Sequence, residues 1–109
     1  MTFQEYQKLA LRTAAPAHKK NELFHLVLGL VGESAEIGEK VKKWVRDQDS
    51  DESKLDKEAL TKELGDVLWY IAVFAEYLDI PMEDVAQKNI DKLADRLRRD
   101  KIGGSGDNR

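Results

Sequence analysis

Apolar residues return every three or four positions along four stretches of this chain, and nowhere do they alternate with polar ones for a useful length. That period lines up side chains on one stripe of an α-helix, whereas a half-buried strand needs strict alternation. The first stretch carries Phe3, Tyr6, Leu9 and Ala10, and Thr2 with Glu5 has the spacing of a capping box, which predicts a helix from Thr2. Pro16 is predicted to end it, because a proline drives the preceding residue out of the helical region. A second helix is predicted from about Asn21 to Trp44 or Val45, with Leu23, Leu26, Val27, Leu30, Val31, Ile37, Val41 and Trp44 along its stripe. Gly29, Gly32 and Gly38 weaken it by roughly 1 kcal/mol each relative to alanine, which points to close packing or ligand access there.

The acidic stretch from Asp47 to Lys57 reads as an exposed connection. Ser53 and Asp56 offer an acidic capping box for a third helix that runs to Tyr77 or Leu78 through Leu60, Leu64, Val67, Leu68, Ile71, Phe74 and Ala75. Pro81 is placed to open a fourth, with Met82, Ala86, Ile90, Leu93 and Leu97 on its apolar side. The final GGSGDNR reads as a flexible tail over 103–109, after one domain over 1–102. The expected fold is all-α, a four-helix bundle-like subunit whose helices pack with those of a neighbouring subunit. Leu68, Trp69 and Ala72 on helix three and Leu28 on helix two fall outside the main stripes and need cover. A two-fold copy of the chain is the commonest way to provide it, so a homodimer, or a tetramer made of two dimers, is expected.

Against this background four acidic residues stand in the wrong place for solvated charges. Glu33 and Glu36 lie in the second helix, Glu63 and Asp66 in the third, and both doublets are spaced i,i+3. At about 100° per residue, Glu33 and Glu63 fall at the edge of their stripes, with Glu36 and Asp66 roughly 60° further out. Two packed helices would direct four carboxylates into one seam, where they repel unless a cation holds them. Oxygen-only ligation suits Mg²⁺ or Mn²⁺, and Mg²⁺ held by carboxylates usually shares its shell with substrate phosphates. Ordinary edge residues of amphipathic helices are the alternative, and one ExxE alone would not exclude it. Glu36 or Glu39 is the candidate catalytic glutamate that accepts a proton or orients the water; Glu39, which extends the spacing, is otherwise a further metal contact or an ion-pair partner for Lys42 or Lys43.

Composition narrows the rest. With 18 basic and 21 acidic residues interspersed, the net charge of -3 argues against a nucleic-acid binder. The absence of cysteine excludes disulfides and thiolate metal sites. No apolar run suits a membrane span or leader, so a soluble cytoplasmic protein is expected.

GLVGESAEIGEKVKKW at 29–44 and KELGDVLWYIAVFAEYLDIP at 62–81 resemble the MazG-like branch of the all-α nucleoside triphosphate pyrophosphohydrolases. The ExxE and ExxD of that family correspond to Glu33 with Glu36 and Glu63 with Asp66, and NIDKLADR at 89–96 resembles its following N-x-x-K-x-x-x-R. The resemblance spans roughly residues 24–96. It implies Mg²⁺-dependent cleavage of a nucleoside triphosphate between its α and β phosphates, in a dimer or tetramer whose subunits share the pocket. Asn89, Lys92 and Arg96 then become expected substrate ligands; without the resemblance they read as a solvated basic face. Lys43 is a further candidate for the phosphates, and Tyr70 and His25 for substrate contact. Two departures stand out: Ala35 occupies the usual glycine of GExGE, and the residues after Arg96 do not follow the family, so no tail contact is carried over. Two other readings compete with a general nucleotide hydrolase. One is selectivity for dUTP or dCTP, and the other is a non-catalytic helical interaction protein.

Overall fold

The computed structural model describes residues 1–14 and 19–109 of the chain, with the side chains of Lys19 and Lys20 left aside. Four α-helices occur among the described residues: α1 (Phe3–Leu11), α2 (Lys19–Gln48), α3 (Lys57–Tyr77) and α4 (Met82–Arg98). Pro16, the predicted end of the first helix, and His18 lie outside the described residues. The all-α bundle expected from the periodicity is what forms. α3 is its central strut: α2 packs chiefly on α3, while α1 and α4 pack on α3 and on each other.

The capping box at the start of α1 is present in full. Glu5 N donates to Thr2 Oγ1 at 3.1 Å, and Thr2 N donates to Glu5 Oε2 at 3.0 Å. At the start of α3 the expected pairing of Ser53 with Asp56 is not what forms. Asp56 alone caps, accepting from Ala59 N at 2.9 Å, while Ser53 sits in a short 3-10 turn (Glu52–Lys54) capped by Asp51. Asp51 also accepts from the Ser53 hydroxyl at 2.8 Å, so this serine is already engaged locally. α2 reaches further than its stripe predicts, to Gln48, because its last turn is polar and carries no apolar signal. Asp49 and Ser50 then turn the chain at positive φ, and the Trp44 indole donates to Asp51 O at 2.8 Å to pin the turn.

A core cluster lies where α1, α3 and α4 meet, and Leu26 of α2 is buried as well. Ala10, Ala72 and Met82 are buried together, with Tyr6, Leu68, Trp69 and Ile71 packed against them. Trp69 donates its indole N–H to Thr13 Oγ1 at 2.8 Å and to Ala10 O at 3.2 Å, which makes it an interhelical tie. Part of the cover that the sequence assigns to a partner comes from within the chain: Ala72 is buried, and Leu68 and Trp69 are half-buried against Ala10 and Met82. Leu28 has no such cover, and with Phe24 and Val31 it forms an i, i+4, i+7 row on α2 that is 62–68% exposed.

One polar side chain organises this junction. Gln7 is buried, donates to Ala72 O and Ile80 O at 3.2 Å each, and accepts from Met82 N at 3.0 Å. Pro81 sits at the N-cap of α4 and offers no side-chain acceptor, so α1 supplies the missing cap from across the fold. The return bond runs from Gln4 N to Glu83 Oε1 at 3.2 Å, so α1 and α4 satisfy each other's unpaired first-turn groups.

Gly29 is a second junction. A Cβ there would lie 2.2 Å from Tyr70 Cε1, so only hydrogen leaves room for the ring. Gly32, Gly38 and Gly65 face open space by the same measure. Gly29→Ala is therefore expected to cost about 1–3 kcal/mol, recovered when Tyr70→Ala is added. Denaturant melts of the two single variants and the double variant measure the coupling; equal stability of Gly29→Ala and the parent chain would show that the ring moves aside freely.

Candidate metal centre

Where the sequence pattern directs all four carboxylates of the doublets into one seam, the structure brings three of them together. Glu33 and Glu63, at the stripe edges, are half-buried, while Glu36 and Asp66, further round each helix, are exposed. α2 and α3 pack along their length and bring one oxygen each of Glu33, Glu63 and Asp66 within 4.8 Å of one another. An octahedral Mg²⁺ with oxygens at about 2.1 Å needs ligand separations of about 3–4 Å. Small side-chain rotations would close the three onto such an ion and leave other positions for water and phosphate. The trio can hold a divalent cation. Glu36 stands outside it, near enough that its charge acts on Glu33.

Electrostatics point the same way. The Glu33 carboxyl is raised above the ordinary glutamate value, first by partial desolvation and then by the charges of Asp66, Glu63 and Glu36. Tyr6 on α1 is raised too, first by burial and then by the charge of Asp66. A raised carboxyl binds its proton more tightly folded than unfolded, so its contribution to stability is present at acid pH. That contribution is lost as pH rises through the raised folded value. Glu33→Gln should therefore raise the metal-free melting temperature at neutral pH while removing the stabilisation that added Mn²⁺ gives the parent chain. A metal-induced shift of unchanged size in Glu33→Gln would remove Glu33 from the ligand set.

Other predicted residues distribute unevenly. Glu39 accepts from Lys42 Nζ at 3.0 Å, and that bond holds its carboxyl below the usual range. Tyr70 lies one turn beyond Asp66 with its ring against Gly29, edge-on to Trp69 at 4.9 Å and tilted to His25 at 6.3 Å. His25 and Tyr70 are thus neighbours across the α2–α3 seam. Lys43 and Trp44 line a cavity of about 260 Å³ between the end of α2 and the start of α3, floored by Val41, Leu55 and Leu60.

Asn89, Lys92 and Arg96 share α4, and among the described residues no hydrogen bond or ion pair links them to the carboxylates. Lys92 Nζ instead meets Asp107 Oδ1 at 3.0 Å. Arg96, 4% exposed, donates to Asp107 O at 2.8 Å, and its buried Nε has no partner.

Lys40 carries no signal of a site role in the sequence. Its Nζ lies 3.3 Å from Glu63 Oε1, across the helix seam. On its own helix Lys40 follows Glu36 at i+4, a signal for a local ion pair and not for a bridge to α3.

Comparison with known proteins agrees with this geometry. Residues 22–99 match the MazG nucleotide pyrophosphohydrolase domain. Over 87 residues the chain is 47% identical to the Gene 37 protein of Mycobacterium phage L5, an alignment covering 80% of this chain and 76% of that one. No solved structure matches at a significant level.

Proposed function

Because the chain belongs to the MazG nucleotide pyrophosphohydrolase domain family, we propose that it hydrolyses nucleoside or deoxynucleoside triphosphates to the monophosphate and pyrophosphate with Mg²⁺, or Mn²⁺ in its place. The observation that carries this reading is the convergence of Glu33, Glu63 and Asp66 from two helices. A divalent cation held there supplies charge neutralisation along the phosphate chain and Lewis-acid activation of water.

The chain's own residues do the rest. Glu33, Glu63 and Asp66 orient the phosphates by fixing the cation. Glu36, exposed beside Glu33, accepts the proton of the water that attacks the α phosphorus. The bond from that phosphorus to the bridging oxygen breaks, and pyrophosphate leaves. Glu39, paired to Lys42, orients the helix face next to that base. Lys43, Asn89, Lys92 and Arg96 bind phosphate, with Tyr70 and His25 nearer the nucleoside.

The α4 cations reach the cation site of a neighbouring copy in this reading, and the exposed Phe24, Leu28 and Val31 row is the contact surface. An apolar strip of that kind supports a homodimer, doubled or not to a tetramer. Light scattering at low micromolar concentration should give twice the chain mass or more; a fully active monomer would end the shared-pocket arrangement. Clearing of non-standard or surplus nucleotides fits the reaction. Screening the common and damaged triphosphates for pyrophosphate release with Mg²⁺ tests the assignment, and preference for dUTP or dCTP would appear in the same screen. No pyrophosphate from any of them would overturn it.

A further inference from the structure

Lys40 projects from α2 toward α3, and its ammonium contacts Glu63, whose side chain is only 16% exposed. It also lines two cavities of about 260 Å³ each, on either side of that contact. One contains Glu63, Lys62 and Asp56; the other contains Lys43 and Trp44. Lys40 is therefore shared between the cavity that holds Glu63 and the neighbouring apolar-floored cavity.

We infer that Lys40 is a displaceable counter-ion of the acidic cluster which, once displaced, becomes a ligand for the phosphate chain of the substrate. The inference rests on the cation site and triphosphate substrate proposed above. In the metal-free protein the ammonium offsets the charge of Glu63, one member of the trio. A divalent cation bound by those carboxylates needs the Glu63 oxygen and repels the ammonium beside it. The four-carbon stem of Lys40, 41% exposed, then swings without disturbing the helix.

Its alternative direction is the cavity shared with Lys43, three residues on and on the same helix face, so two ammoniums meet there. The acidic groups at that rim are already engaged: Asp47 with Arg46 at 2.7 Å, and Asp56 with Ala59 N at 2.9 Å. An anion in the cavity reached by both Lys40 and Lys43 is what this arrangement accepts.

The test compares Lys40→Met and Lys43→Met with the parent chain, by calorimetry, using Mn²⁺ alone and then inorganic pyrophosphate at saturating Mn²⁺. Lys40→Met should bind Mn²⁺ about three- to fivefold more tightly, the scale of one lost competing ion pair. It should bind pyrophosphate about tenfold or more weakly, the scale of a lost charge-assisted bond. Lys43→Met should weaken pyrophosphate alone. A merely structural ion pair would leave both affinities of Lys40→Met unchanged, and either one unchanged overturns the inference. If the parent chain binds no Mn²⁺ at millimolar concentration, the cation site falls and the role of Lys40 with it. If it binds both ligands yet hydrolyses no nucleotide, the proposed reaction falls while the two affinities still decide Lys40.

Discussion

Glu36→Gln should lower turnover by about two orders of magnitude or more, the scale of a lost general base, with Mn²⁺ affinity nearly intact. The contrast is Glu63→Gln, which should lose turnover and metal-dependent stabilisation together. The difference follows from placement: Glu63 belongs to the trio of converging oxygens, and Glu36 is exposed outside it. Glutamine keeps the size and helix preference of glutamate, so neither change should unfold the chain. Pyrophosphate release under saturating substrate, read beside metal-dependent melting, separates the two roles. Near-parental turnover in Glu36→Gln would exclude it as the base, and loss of the metal effect would move it into the ligand set.

The second large effect concerns Gln7. Replacing it with leucine keeps most of its volume but removes three bonds, leaving Met82 N and Ile80 O without their partner. Unsatisfied buried groups cost about 1–3 kcal/mol each, so the variant should lose about 2–4 kcal/mol. For a chain of this size that lowers the melting temperature by on the order of 10 °C. Gln7→Glu should be comparably damaging, because a carboxylate cannot donate to the two carbonyls. A melt within about 2 °C of the parent chain, a small fraction of that shift, would mean that water replaces the amide.

The helices were legible in the sequence wherever an apolar stripe marked them. α1 and α4 begin where the capping box and Pro81 placed them, whereas α3 begins three residues later than a Ser53 cap implies. The extra turn of α2 to Gln48 was not legible, since Arg46, Asp47 and Gln48 read equally well as loop. Ser53 and Asp56 show the same weakness: two residues at cap spacing do not reveal that Asp51 engages the serine first. The carboxylates were legible because a charge at the edge of an apolar stripe conflicts with its surroundings. Gln7 and Lys40 carry no such conflict. Each is a polar residue among polar neighbours, and its partner belongs to another helix, 65 to 75 residues away for the Gln7 bonds. The exposed row of Phe24, Leu28 and Val31 conveys the reverse lesson, since periodicity identifies an apolar face but not what covers it.

The unequal sharing of contacts around α3 has a consequence for motion. α1, α3 and α4 are tied by the Gln7 amide, the Trp69 indole and the exchanged caps, whereas α2 rests chiefly on α3. The chain thus divides mechanically into a braced triangle and one long lever. Glu33 rides on the lever, while Glu63 and Asp66 belong to the triangle. An excursion that lifts the lever takes the carboxylate trio apart and bares Leu26 while leaving the braced junction intact, and an ion gripped by all three would act as a clasp against it.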